Sequence, residues 1–197
     1  DIVRLFDFEN PDANEFLAVN QFSIKGTKST KRPDIIIFIN GLPLAVLELK
    51  NPADINTTIY DSYKQLQTYK EEISDLFISN ELLVIADMRE ARVGSLTADY
   101  ERFGLWRTID GETLDPLGKS NETETLVRGL FRRDFLLEYI RDFVLFEEEK
   151  ETIKKIAAYH QFHLVRKAFR KTLEAVGLEP SLNPSQGEGL EERKSHC

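Results

Sequence analysis

The chain has 197 residues, 41% hydrophobic and 30% charged, which is ordinary for a globular protein and suits one sizeable domain or one domain with a helical appendage. No apolar run approaches the roughly 18 residues of a membrane span, and the only cysteine, Cys197, excludes an internal disulfide and fits a reducing compartment. The formal net charge of −8 argues against a self-sufficient DNA-binding surface, but not against a centre that gathers carboxylates to hold a metal while other domains grip the nucleic acid. The start, Asp1-Ile2-Val3-Arg4, has neither an initiating Met nor the basic-then-apolar pattern of a signal peptide, which implies a fragment whose natural N-terminus lies upstream.

In chain order, Glu15–Lys25 mixes apolar, polar and β-branched residues and reads as a strand ending at Gly26, with residues 26–31 as a polar loop. Asp34–Asn40 and Leu42–Leu49 are β-rich runs joined at Asn40-Gly41, a strong short hairpin signal because both residues tolerate positive φ. Ile55–Ile73 carries Tyr60, Tyr63, Leu66 and Tyr69 at helical spacing, with Pro52 and Asp54 as start signals. Leu82–Ala86 is a continuous apolar run, as expected of a strand buried on both faces, and Arg92–Leu96 and Leu105–Ile109 read as further strands. From residue 122 to 176 the period is helical, in two segments, and Phe131, Phe135, Leu136, Tyr139, Ile140 and Phe143 fall at core spacing. The expected organisation is a core over residues 1–112, a loop over 113–121, a helical extension over 122–176 and a disordered, Gly-, Pro-, Ser- and Glu-rich tail over 177–197, without internal repeats. The fold class is α/β: a mixed β-sheet flanked by helices, followed by a C-terminal helical segment.

One constellation carries chemistry. Phosphodiester hydrolysis at neutral pH needs an activated water, a neutralised phosphate and a stabilised leaving oxygen; divalent hard cations held by carboxylates meet all three needs, and a nearby lysine can orient water or balance charge. Asp34 opens the first hairpin strand after Pro33, while Glu48 and Lys50 sit two apart at the end of the second and therefore share a face. A plain two-residue turn pairs Ile39 with Leu42, sets Asp34 opposite Leu47 and sends Glu48 to the other face. Facing Asp34 and Glu48 requires one extra residue between Ile39 and Leu47, and Pro43, which cannot donate to the ladder, is a plausible place for it. Gln65 and Tyr69 are i and i+4 on the following helix, on one face that can lie beside the lysine. Glu15, Asn20 and Gln21 precede the hairpin, and nothing in their spacing selects one as a further ligand.

Pro33-Asp34 with Glu48-Leu49-Lys50 resembles the PD-(D/E)xK nuclease pattern, and Gln65-x-x-x-Tyr69 an accessory motif found in a subset of those enzymes. The longer text RPDIIIFINGLPLAVLELKNP, then YKQLQTYK, Glu90–Glu112 and Ala157–Ala168 resemble the N-terminal nuclease domain of the restriction (R, motor) subunit of type I restriction–modification enzymes. The resemblance runs from about residue 14 to 173. It implies a restriction-endonuclease-like core, with Asp34, Glu48, Lys50, Gln65 and Tyr69 catalytic and Mg²⁺ (or Mn²⁺) held by Asp34, Glu48 and the Leu49 backbone carbonyl. It further implies that Gln161 contacts the adenine of ATP in the intact motor, and that the partners are double-stranded DNA and the methylation and specificity subunits, in a prokaryotic cytoplasm and without a membrane. The family's phosphate-binding loop G-x-x-x-x-G-K-[ST] is absent, so ATP chemistry belongs to the full-length subunit, and the resemblance points to the missing N-terminal segment for a helix that completes the metal site in relatives.

Duller readings exist for each piece. Pro-Asp is common turn chemistry, Glu-x-Lys at a strand end is usually a solvated face, and Gln65 and Tyr69 suit an ordinary amphipathic helix. His160 and His163 read as structural or interdomain rather than metal-binding, Trp106 as a packed strand residue, and the Leu49 side chain as core-facing. The competing functions are a catalytically silent docking module that contacts partner subunits or the motor, and an unrelated α/β protein.

Overall fold

The computed structural model describes residues 4–50, 57–87, 89–116, 121–148 and 151–178. Its frame is a five-stranded sheet in the order β1 (Phe16–Asn20), β4 (Ile35–Ile39), β5 (Leu42–Leu49), β6 (Leu82–Ala86), β7 (Ala91–Gly94). Only β5 and β6 run parallel, so the sheet is mixed. The parallel pair is joined through α1 (Ile59–Glu72), consistent with the need of parallel strands for a crossover. The fold is therefore α/β, with helices on both faces.

The two faces carry separate cores. Ile36, Val46, Leu83 and Ile85 pack beneath Ile59, Leu66 and Tyr69 of α1. On the opposite face Ile39, Leu44, Ala45, Leu47, Leu82 and Val84 share a core with Leu126 of α2 (Glu122–Gly129), Phe135, Leu136 and Tyr139 of α3 (Arg133–Asp142), and Phe162 of α4 (Tyr159–Ala175). The helical residues expected in the core are there: Phe135, Leu136, Tyr139 and Phe143 are buried, with Phe131 and Ile140 packed against them. β6 is buried along its whole length, as its unbroken apolar run requires.

The β4–β5 hairpin turns on Asn40 (φ +50°) and Gly41 (φ +81°), the left-handed pair of a two-residue turn whose twist matches the strands. Ile39 pairs with Leu42 and Phe38 with Pro43, but Ile37 then pairs with Ala45, Ile36 with Val46 and Ile35 with Leu47. Leu44 is the inserted residue of a β-bulge. Both Leu44 and Ala45 turn into the same core, and the Leu44 carbonyl finds its partner outside the hairpin, accepting from the Glu81 N–H at 2.8 Å. The extra residue expected between Ile39 and Leu47 is thus present, one position beyond Pro43.

Several expectations need correction. The strand placed over Glu15–Lys25 breaks at Gln21, whose φ is +54°, and resumes as β2 (Ile24–Lys25), which pairs with β3 (Thr30–Lys31) where a polar loop was expected. The strand placed at Arg92–Leu96 is β7, which starts one residue earlier and ends two residues earlier. Leu105–Ile109 is no strand: Trp106 is 1% exposed, but its indole N–H donates to the Thr108 carbonyl, and the Arg107 carbonyl accepts from the Asp115 N–H at 2.8 Å. Within the region read as helical, a β-hairpin intervenes between α3 and α4, formed by β8 (Val144–Glu148) and β9 (Thr152–Ile156). Lys154 of β9 is buried against the Asn80 carbonyl and Glu81, and the Ser95 and Thr97 hydroxyls donate to its own carbonyl; this nonlocal docking fixes the hairpin, and no helical spacing could reveal it. The start signals Pro52 and Asp54, and residues 179–197 of the expected tail, lie outside the described residues. Of the described helices, none is long and apolar enough to cross a membrane.

A Cβ added at Gly41 meets nothing within 4 Å, so Gly41→Ala tests the backbone alone. The substitution should lower the unfolding free energy by about 1–2 kcal/mol in urea titrations. Unchanged stability would show that the turn does not hold the left-handed geometry.

Candidate active site

Beyond the bulge the paired numbers place Asp34 opposite Glu48, at the C-terminal end of β5 and on the α1 face of the sheet. Asp34 is held from two sides. Its Oδ2 accepts from the Leu49 N–H at 2.8 Å and its Oδ1 from the Gln21 side-chain amide at 2.6 Å, while the Gln21 N–H donates to the Asp34 carbonyl at 2.9 Å. Gln21 is the member of the group Glu15, Asn20 and Gln21 that reaches the site. Its left-handed backbone, uncommon for a residue with a side chain, is the local feature that turns it there, and nothing in the spacing of the sequence encodes it.

Glu48 is 5% exposed. The Lys50 ammonium lies 3.4 Å from its Oε1, whereas its Oε2 is buried without a hydrogen-bond partner among the described residues. Burial first, then repulsion from Asp34, push the Glu48 carboxyl from its ordinary 4.5 to about 7, against the pull of Lys50 and Tyr69. Tyr69, 4% exposed on α1, is directed at Glu48 and neighbours Gln65; burial and the Glu48 charge push its phenol up to about 12. α1 reaches this position because Ile59, Ser62, Leu66 and Tyr69 form its buried stripe over β5 and β6.

The structure thus gathers Asp34, Glu48, Lys50, Gln65 and Tyr69 at one strand end. The lysine backbone is fixed by its N–H to the Ala86 carbonyl at 2.8 Å. In an extended strand the N–H and C=O of one residue point to the same edge, so the Leu49 carbonyl faces the side on which its N–H meets Asp34. The Leu49 side chain, expected in the core, is 36% exposed: it falls on the Leu47 face, past the end of the packed layer. Gln161 is elsewhere. It lies on α4, whose buried Phe162 belongs to the opposite core, and its Oε1 accepts from the Ala158 N–H at 2.8 Å to cap the helix.

Two carboxylates and a backbone carbonyl form a set of hard oxygen donors, the kind that suits Mg²⁺ or Mn²⁺. A buried carboxylate oxygen with no partner, on a group whose proton is held to near neutrality, fits a site completed by a cation. Among the described residues no group of three or more His, Cys, Asp or Glu side chains converges, so the donor set rests on this pair and on backbone.

The model of the type I restriction enzyme R protein N terminus matches residues 1–102, and the chain belongs to that family. It is 47% identical over 180 residues, 89% of its length, to the type I restriction enzyme HindI endonuclease subunit of Haemophilus influenzae. It is 33% identical over 192 residues, 88% of its length, to a protein assigned as the type I restriction enzyme MjaIXP endonuclease subunit of Methanocaldococcus jannaschii. The chain spans only 17% and 18% of the lengths of these two relatives.

Because the folded chain holds the Glu48 proton more tightly than the unfolded chain does, this group adds about 3 kcal/mol of stability below pH 4.5, and the contribution is lost as pH rises through about 7. In metal-free buffer, urea unfolding between pH 4.5 and 8 should show that decline, and Glu48→Gln should flatten it. Equal slopes in both proteins would contradict the assignment.

Proposed function

We propose that this chain is the endonuclease domain of a type I restriction enzyme R subunit, a PD-(D/E)xK core that hydrolyses DNA phosphodiesters with Mg²⁺, for which Mn²⁺ substitutes. The observation that carries the reading is the meeting of Asp34 and Glu48 across a bulged hairpin, with one Glu48 oxygen buried and without a hydrogen-bond partner among the described residues. Asp34, Glu48 and the Leu49 carbonyl would hold the cation. When bound, it supplies a Lewis acid that neutralises the scissile phosphate and acidifies water.

The chain's own side chains do the rest. Gln21 and the Leu49 N–H keep Asp34 in one rotamer. Lys50, beside Glu48, orients the attacking water and offsets charge developing on the phosphate. Tyr69 stays a neutral phenol at physiological pH, so with Gln65 it provides hydrogen bonds without adding negative charge near the phosphate. In the whole subunit the domain cuts unmodified double-stranded DNA within an ATP-driven translocating complex that includes methylation and specificity subunits, in a prokaryotic cytoplasm. Gln161 would contact the adenine of ATP in that larger protein.

A plasmid-nicking assay in Mg²⁺ or Mn²⁺ tests the reading. Lys50→Ala should lower the rate by about 100-fold or more. A rate unchanged in that variant would remove Lys50 from the chemistry.

A further inference from the structure

Between Gln21 and Asp34 the chain leaves the sheet to form the β2–β3 hairpin, and the segment from residue 22 to 33 contains Lys25, Lys28, Lys31 and Arg32 with no carboxylate, in a protein of net charge −8. Its root is the candidate active site: Asn20 and Ile35 are paired, and Gln21 bonds Asp34 through both backbone and side chain. Its arm is pinned to the end of α1. The Thr27 N–H donates to the Glu72 carbonyl at 3.1 Å, Lys31 pairs with the Glu72 carboxylate at 3.1 Å, and Gly26 sits so close that an added Cβ would lie 2.7 Å from the Ser29 carbonyl oxygen and 3.1 Å from that of Glu72. Glu72 lies three residues along α1 from Tyr69, about 4.5 Å of helix rise. The hairpin is therefore a fixed projection on the same face as Asp34 and Glu48, roughly one helical turn from them.

Its cations differ from most of those on α4, where Lys167 alone of four makes no ion pair among the described residues. There Arg166 pairs with Glu138, and Arg170 and Lys171 pair with Glu112 and Glu174. Lys25, Lys28 and Arg32 are exposed and make no ion pair among the described residues, and the hydroxyls of Thr27, Ser29 and Thr30 are exposed beside them. A cluster of free cations and hydroxyl donors on a rigid support suits a run of phosphates, where each contact releases counterions.

We infer that the β2–β3 hairpin grips the phosphodiester backbone of duplex DNA beside the phosphate to be cut, with Lys25, Lys28 and Arg32 as the contacting cations and Lys31 holding the hairpin in place. The inference rests on the nuclease reading for the identity of its ligand, but it is a claim about binding and is measured without turnover. Fluorescence anisotropy of a labelled duplex with the full chain, titrated over KCl without divalent metal, compares wild type with the triple variant Lys25→Gln, Lys28→Gln, Arg32→Gln. Each phosphate contact contributes about 0.9 to the slope of log affinity against log salt, so the variant slope should be shallower by about 2 to 3. Lys167→Gln with Lys171→Gln, on α4, should leave the slope unchanged. In parallel, amine-reactive labelling of Lys25 and Lys28 in the unmutated chain, read by mass spectrometry, should fall when duplex DNA is added, a readout independent of how the variant folds.

A slope equal to wild type in the hairpin variant, unprotected lysines, or no binding by wild type at low salt would each overturn the proposal. A chain that binds through the hairpin but nicks nothing would remove the nuclease reading and leave this one. A chain that nicks DNA with an unchanged salt slope would do the reverse.

Discussion

Leu44 is one residue more than a regular hairpin needs, and the geometry of the candidate site depends on it. The Asn40-Gly41 turn closes in its tight two-residue form, which alone would direct Glu48 to the face opposite Asp34. The bulge corrects the phase of the second half of β5 while leaving the first half paired as the turn dictates. Because the side-chain period of a strand is 2, one residue is the smallest correction available, and its omission would also exchange the two hydrophobic sets of β5 between the cores. Packing and site geometry therefore enforce the same register: Leu44, Ala45 and Leu47 are apolar toward α2 and α3, and Val46 and Glu48 lie toward α1.

That placement explains the electrostatics. Glu48 is taken into a largely apolar layer under α1, close to a second carboxylate, with Lys50 as its counter-charge among the described residues, and this raises the energy of its charged form until the proton is held to near neutrality. Such a group is costly as structure alone, since an apolar side chain of similar volume would pack there without an orphaned oxygen. The cost becomes intelligible if a cation arrives with the substrate. The same design limits flexibility in the carboxylate pair: Asp34 has hydrogen bonds to both oxygens, and Glu48 is fixed by burial.

Elements with strong local patterns were legible in the sequence. Leu42–Leu49 and Leu82–Ala86 are strands over the limits their apolar runs define, and the Asn-Gly turn, the need for an extra residue and the helix carrying Gln65 and Tyr69 all follow from chemistry within a few positions. What escaped was held by distant partners. β8–β9 sets charged residues beside apolar ones, and Lys154 is buried only because Asn80 and Glu81 meet it. Trp106 is buried from a loop because Tyr139 and Phe162 close over it, and Gln21 reaches Asp34 only through a left-handed backbone. Net charge was a coarse guide too. A total of −8 conceals a segment of four cations between Gln21 and Asp34, so the reading that the chain lacks a self-sufficient DNA-binding surface does not follow from the total alone.

The central claim is that Asp34 and Glu48 together form a divalent-cation site whose cation takes the place of the Glu48 proton. Calorimetric titration of Mn²⁺ at pH 6.5, repeated in buffers of different ionisation enthalpy, measures binding and proton release at once. The wild-type chain should bind Mn²⁺ with release of protons, and Glu48→Gln should lose both the binding and the release. Binding of equal strength in the two proteins, or binding by wild type without proton release, would contradict the account.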